Sequence, residues 1–480
     1  MTYRPSDVTV TVKPNPRIIN LGEALRMAAL VGMGPSTLTV TDETIVHGTG
    51  SVDYLATYPG SGIAITQIAK RANLTAGALD YATGSLGSLY AASDYTDGAD
   101  GSITWASGAI ATGIVYYTSY TKPTPAINYT PQIFTDKTSL IATFGPESNT
   151  EGILTVGGSI VLENGSPAVM CIQVNSTSFN QMKYQDAIDL LKKKDKIEDL
   201  VILFPSGSVT TAQQEAVQAY AFQHVAYCNQ ITIKKERSLI CGSPSEDFAT
   251  NGFDTIGDST VTGSYSGRAA VLKSEDVAYV VPSTVTRTNP GGSLMQLDGN
   301  FAAAAVAGVR NAQSKRSTPI HGFQVIGIDI PEDKWDETEK LLLGGNNCLV
   351  LQKYGGVITI YDALTTDPTS AETTELSIPS VKRLVKRSLR YSIRNTYLNR
   401  GLVITDDVLS DIEGTMQSTL LGLIRQGEIN DYGKRTNPTT GEIPIRAQKD
   451  ILEPRRVIAT CSIAYGFPLK FVDITVFPFI

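Results

Sequence analysis

The stretch 380–405 carries Lys382, Arg383, Lys386, Arg387, Arg390, Arg394 and Arg400, and no carboxylate. At 3.6 residues per turn, the first six fall within a sector of about 140° on an ideal helix. Val381, Leu384, Val385 and Leu389 lie mainly on the opposite side. Such a helix packs by one face and presents a cationic one, whose chemistry is electrostatic docking. The bland alternative is a solvated surface. Solvated helices mix signs to gain i,i+4 pairs, however, and here six like charges repel. An acidic partner surface is therefore the preferred reading. The chain as a whole carries −7, so with +7 in this stretch the remainder carries −14.

Residues suited to catalysis are sparse. The histidines are His47, His224 and His321. His224 lies within a helical pattern beside Ala and Tyr and reads as a packed or surface residue. No GxxxxGK[ST], GxGxxG after a strand, GxSxG or HExxH is present, so the phosphate-cradling loop, the nucleophile elbow and the zinc-protease helix are all missing. DGADG at 97–101 has acidic spacing but lacks the glutamate an EF-hand loop needs, and reads as a turn. Cys241-Gly242-Ser243 ends a predicted strand, where α/β sites often sit. With no neighbouring base, a buried structural thiol is the simpler reading. We expect no enzyme, no cofactor and no metal.

Behind these residues stands a mixed architecture. DVTVTVK (7–13) puts Val8, Val10 and Val12 on one face of a strand, and PNPR then detaches it from the next segment. We read 1–20 as an N-terminal arm. Residues 21–150 are rich in Gly, Thr, Tyr and Ser with alternating runs such as TLTVTDETIVHG. They predict a β-rich outer domain, with one helix at 63–72.

From 151 to 345 strands and helices alternate. VMCIQV (169–174), DLVILF (199–204), SLICGSP (238–244) and VAYVVPS (277–283) are continuous apolar strands. Helices are expected near 181–194 and, capped by a residue between Ser206 and Thr211, through to Cys228. This succession predicts a central α/β domain with a mostly parallel, doubly wound sheet. Residues 346–480 read as a C-terminal α+β unit. It opens with two strands joined at Gly355-Gly356, continues with helices near 379–398 and 406–425, and ends in strands. In the last, Val472, Ile474 and Val476 face one way and Asp473 and Thr475 the other. Strand-forming sequences at both ends suit subunits that exchange strands, since an open strand edge is either blunted or used for strand addition. They equally suit ends that complete their own chain's sheets.

Composition excludes several classes. The net charge and a pI near 5.2 argue against general nucleic-acid binding. MTYRPSDVTVTV lacks the apolar core of a secretory signal. The most apolar run, AAAAVAGV at 302–309, is far shorter than the ~20 residues that span a bilayer. Five scattered cysteines without a CxxC predict reduced thiols and cytoplasmic assembly.

Several segments, in order, resemble the tail sheath proteins of contractile (myovirus-type) bacteriophage tails and related injection machines. FGPESNTEGILTVGGSIVLENGSPAVMCIQV (144–174) resembles the entry into that family's central domain, and LDGNFAAAAVAGVRNAQ (297–313) its late loop-plus-helix segment. YDALTTD (361–367), IPSVKRLVKRSLRYSIRNTYLNR and GLVITDDVLSDIEGTMQSTLLGLIRQGEI resemble its C-terminal domain. The start differs: TVTVKPNPRI stands where the family often has an SPGVYVEE-like strand. The resemblance implies a virion structural subunit, assembled in the host cytoplasm as stacked six-fold rings in a helical lattice around a tail tube protein. It also implies contacts with baseplate and tail terminator proteins, and contraction that drives the tube through the host envelope. Val8, Val10, Val12, Val472, Ile474 and Val476 would form strand arms lent to neighbours. Lys382, Arg383, Lys386, Arg387, Arg390 and Arg394 would face an acidic tube. The alternatives are an α/β hydrolase or ligand-binding protein with β-rich appendages, or another virion polymer such as a baseplate or capsid protein.

Overall fold

The computed structural model describes residues 27–34, a set of strands between 37 and 123, and 129–466 apart from short gaps, the longest of which is 245–263. The predicted arms carrying Val8, Val10, Val12, Val472, Ile474 and Val476 lie outside the described residues.

The centre is a nine-stranded sheet. Its strands are β1 (Met27–Gly32), β2 (Gln132–Phe134), β3 (Val169–Gln173), β4 (Ile197–Ile202), β5 (Ser238–Gly242), β6 (Val277–Val281), β7 (Gln324–Val325), β8 (Leu349–Tyr354) and β9 (Val357–Asp362). Their order is β2-β3-β1-β4-β5-β6-β8-β9-β7. Neighbours from β3 through β8 run parallel, and the edges β2, β9 and β7 are antiparallel. The expected mostly parallel α/β sheet is present.

Two helix pairs cover it. The first is α1 (Ile153–Glu163) with α4 (Gly299–Ala312), and the second is α2 (Gln181–Leu190) with α3 (Thr211–Cys228). Thr210 caps α3: its side chain accepts from the N–H of Gln213, whose own side chain accepts from the N–H of Thr210 at 2.9 Å. Every residue of α4 from Gly299 to Asn311 is buried, so AAAAVAGV is a core helix rather than a surface one.

Three expectations need correcting. Met27–Gly32 is the middle of the central sheet, pairing parallel with β3 and β4, and not part of the β-rich outer region. MAALVG is a continuous apolar run buried throughout, and its partners lie more than 130 residues away, so nothing local reveals its place. Likewise β8 and β9, read as the opening of the C-terminal unit, complete the central sheet. Their turn is as expected, with φ of 58° at Gly355 and 79° at Gly356, the left-handed pair a two-residue hairpin needs. The helix expected at 63–72 is instead the strand Ala64–Ala69, antiparallel to Val115–Pro123. A register shift between Ile65 and Gln67 adds a residue, so Ile65 and Ile68 stand three apart and imitate a helical period.

The rest of 37–123 is β-rich among the described residues. Thr37–Val46, Val115–Pro123 and Ala64–Ala69 make one antiparallel sheet, and Val52–Tyr54, Ser102–Trp105 and Tyr95–Asp97 another. Trp105 and Tyr116 join them edge to face at 5.0 Å.

The C-terminal unit contains α5 (Ser377–Tyr397) and α6 (Asp406–Gln426), with the small strand pairs Arg446–Lys449/Val457–Thr460 and Asp431–Tyr432/Ile463–Ala464. Val381, Leu384 and Val385 of α5 pack with Leu420 and Leu423 of α6. This is a small core of its own, separate from the central one, whose last member in sequence is Leu376.

Candidate functional site

The basic helix α5 does not present its whole cationic face outward. It lies against carboxylates at the start of the central strands. Glu198 and Asp199 open β4, Glu236 precedes β5, and Glu275 and Asp276 precede β6. Lys382 Nζ meets Glu275 Oε2 at 2.7 Å. Arg383 pairs with Asp276 and donates to Ser238 Oγ at 3.3 Å. Arg387 Nη1 donates to Glu198 Oε2 at 2.9 Å, and Arg390 Nη1 to Glu236 Oε2 at 3.1 Å.

Two further arginines arrive from the central body. Arg310, at the end of α4, pairs with Asp199 and donates to Ser380. Arg316 pairs with Glu198. Glu198 is buried under four guanidiniums. Burial by itself would raise its pKa, yet Arg316, Arg387, Arg383 and Arg310 hold it well below the usual carboxylate range. Glu236 behaves alike: burial opposes its charge, and the hydrogen bonds from Arg390 outweigh that and lower its pKa. The remaining capacity of Asp199 is met by Ser238 Oγ at 2.6 Å and Asn311 Nδ2 at 2.9 Å. Chemically this is a charge lock, with every inner carboxylate already matched by a cation.

The carboxyl end of the sheet is polar and closed at its middle, beside a cavity lined by Pro205, Ser206, Thr210, Gln214 and Asp298. Gly242 approaches Gly299 so closely that an added Cβ would sit 1.8 Å from the Gly299 carbonyl oxygen. Asn300 Oδ1 accepts from Gln218 Nε2 at 2.9 Å and from the Gly242 N–H at 3.2 Å. Cys241 is buried, and burial pushes its thiol pKa up, which disfavours the thiolate. Asp298 caps α4, accepting from the Asn300 N–H at 2.9 Å, and burial pushes its pKa up to about 7. His224 is buried with Nε2 3.2 Å from Arg237 Nη1, and burial, with help from Arg237, pulls its pKa down to about 3. It is a neutral packed histidine. Among the described residues no cluster of His, Cys, Asp or Glu could hold a metal ion, and no helix is long and apolar enough to cross a membrane. All five cysteines are unbridged.

No protein-family model matches the chain, and no curated protein matches it. Solved structures do. A chain of the anti-feeding prophage helical sheath in its contracted state superposes with a TM-score of 0.53 at 11% identity, over 73% of this chain and 89% of that one. A chain of the six-fold symmetrised anti-feeding prophage baseplate gives 0.54 at 13%, over 74% and 90%. One from the contracted sheath complex of the extracellular contractile injection system PVC gives 0.50 at 12%, over 72% and 86%.

The chain has a contractile-sheath fold.

Within that sheath fold, the structure redirects the six predicted cations. Lys382, Arg383, Arg387 and Arg390 bind carboxylates of their own chain, and only Lys386 and Arg394 are exposed without an ion pair among the described residues. Four of the six cations thus meet carboxylates of their own chain, where an acidic surface on a partner was expected. The residues that sequence reasoning missed are Glu198, Asp199, Glu236, Glu275, Asp276, Arg310 and Arg316. A signal was available: IEDLVI places two carboxylates in an apolar parallel strand, and AAAAVAGVR ends a buried helix on a cation. Buried charges of this kind require partners.

Proposed function

We propose that this chain is a structural subunit of a contractile tail sheath. Copies would stack as six-fold rings in a helical lattice around an inner tube, with baseplate and terminator proteins at the ends. They would contract to drive the tube through a host envelope, within a virion or similar tail particle. The observation that carries the reading is the shared fold, which spans nearly nine-tenths of a sheath chain in its contracted state. A scaffold whose inner charge cluster is matched, with a buried thiol and a neutral buried histidine, favours a structural role over the hydrolase alternative. Contraction without nucleotide hydrolysis requires two packings of the same parts, differing by a modest free energy.

In this reading the strands containing Val8, Val10 and Val12, and Val472, Ile474 and Val476, are lent to neighbouring subunits. The tube contact falls to Lys386 and Arg394, since the other four cations are engaged within the chain. Purified protein viewed by negative-stain electron microscopy tests the proposal. Striated hollow polymers are expected, and a stable monomer at high concentration would count against it. Deleting 470–480 should leave a folded chain that no longer polymerises. Reversing Lys386 and Arg394 to Glu should weaken tube binding in a salt-sensitive way.

A further inference from the structure

Five of the six cations of α5 have another one helical turn further on. Lys386 follows Lys382 by four residues, Arg387 follows Arg383 by four, Arg390 follows Arg387 by three, and Arg394 follows Arg390 by four. The facing carboxylates lie in the same order along the helix: Glu275 at Lys382, Asp276 at Arg383, Glu198 at Arg387, and Glu236 at Arg390. We infer that α5 has two ion-pair registers on the central body, the observed one and a second displaced by one turn toward the helix N-terminus. In the second, Lys386 meets Glu275, Arg387 meets Asp276, Arg390 meets Glu198 and Arg394 meets Glu236.

The two registers satisfy the same four carboxylates, which is what a two-state joint needs. Lys386 and Arg394, exposed and without ion pairs among the described residues, are the two cations the second register recruits. The central core ends at Leu376 and the C-terminal core starts at Val381; between them Ile378 and Pro379 are buried and must re-seat, while the rest of the sliding surface named here is bound by charge. Val381, Leu384 and Val385 hold α6 against α5, and the unit moves as one piece. Arg310 and Arg316 stay with the central body and keep Glu198 and Asp199 compensated in both states. One-turn ratchets of packed elements, about 5.4 Å, are a known mode of switching. Besides the ion pairs, the hydrogen bonds of Arg310 to Ser380, of Arg387 to the Glu236 carbonyl and of Ser317 Oγ to the Gly427 carbonyl, and the bridge between Leu364 and Glu375, must open. Glu428 releases the N–H groups of Arg316 and Ser317, held at 3.1 and 2.9 Å, and the Leu376 N–H releases the Ala363 carbonyl at 3.0 Å.

This inference stands on the charge spacing and not on the sheath reading, and its test uses the unassembled full-length chain. Spin labels at Met182→Cys on α2 and Ser418→Cys on α6, in a Cys461→Ser background, report the distance between the two units by pulsed electron resonance. Wild type is expected to give one main distance. Lys382→Gln with Arg383→Gln weakens only the observed register and should shift the main distance by about 5 Å. Adding Lys386→Gln and Arg394→Gln should abolish that second distance. Lys382→Gln with Arg383→Lys is a milder pair that keeps the charge at Asp276, and should populate both distances. A main distance that stays in place in both pairs, or merely broadens, would overturn the proposal.

Discussion

Glu198 Oε2 accepts a hydrogen bond from Arg387 Nη1 at 2.9 Å across 189 positions of sequence. That contact ties the first turn of a central strand to the middle of the C-terminal helix, and three more arginines share the same carboxylate. A lone carboxylate in such a setting stabilises by neutralising its neighbours more than by any single bond.

Replacing Glu198 with Gln therefore leaves four buried guanidiniums under-compensated. Removing one partner of a buried ionic cluster costs about 3–5 kcal/mol. Glu275→Gln, whose carboxylate is a third exposed, should cost less than ~1 kcal/mol. Urea unfolding of the two variants measures the contrast, and equal losses would refute it.

Acid should open the same joint. Glu198 and Glu236 have folded pKa values below their ordinary 4.5, so their contribution is complete above that value and disappears as pH falls through the depressed one. The part of the thermal midpoint these two carboxylates supply should hold from pH 7 to 5 and fall below about pH 4.5. In Glu198→Gln the acid limb should be shallower.

Asp298 has the opposite sign. Its carboxyl is raised to about 7, so its contribution is complete below the ordinary 3.8 and is lost as pH rises through 7. Asn can accept the same capping bond from the Asn300 N–H. Asp298→Asn should remove the decline in thermal midpoint that this group causes between about pH 4 and 7, and a parallel decline in both proteins would refute the assignment.

Two glycine substitutions should move stability in opposite directions. At Gly242 an added Cβ meets the Gly299 backbone at 1.8 Å, so Gly242→Ala should cost about 3 kcal/mol or more. Gly414 sits exposed inside α6 with nothing within 4 Å, so Gly414→Ala should stabilise by up to ~1 kcal/mol. Denaturant midpoints of the two proteins check both signs.

Much of this architecture is legible where the signal is local. The apolar strands, the Thr210 cap, the Gly355-Gly356 turn and the two long helices all follow from periodicity, capping chemistry and left-handed glycine. The basic face of α5 is equally plain, as is its need for carboxylates.

Residue order alone thus accounts for most of the strands and helices, for the cationic face of α5, and for the demand of its charges for acidic partners. Where those partners stand is a property of the folded chain. Parallel strand order has no period, so MAALVG carries no mark of its place between β3 and β4. Ion pairs depend on distance in space alone, so Glu198, Glu236 and Asp276 could be matched to Arg387, Arg390 and Arg383 only once the sheet had brought them together.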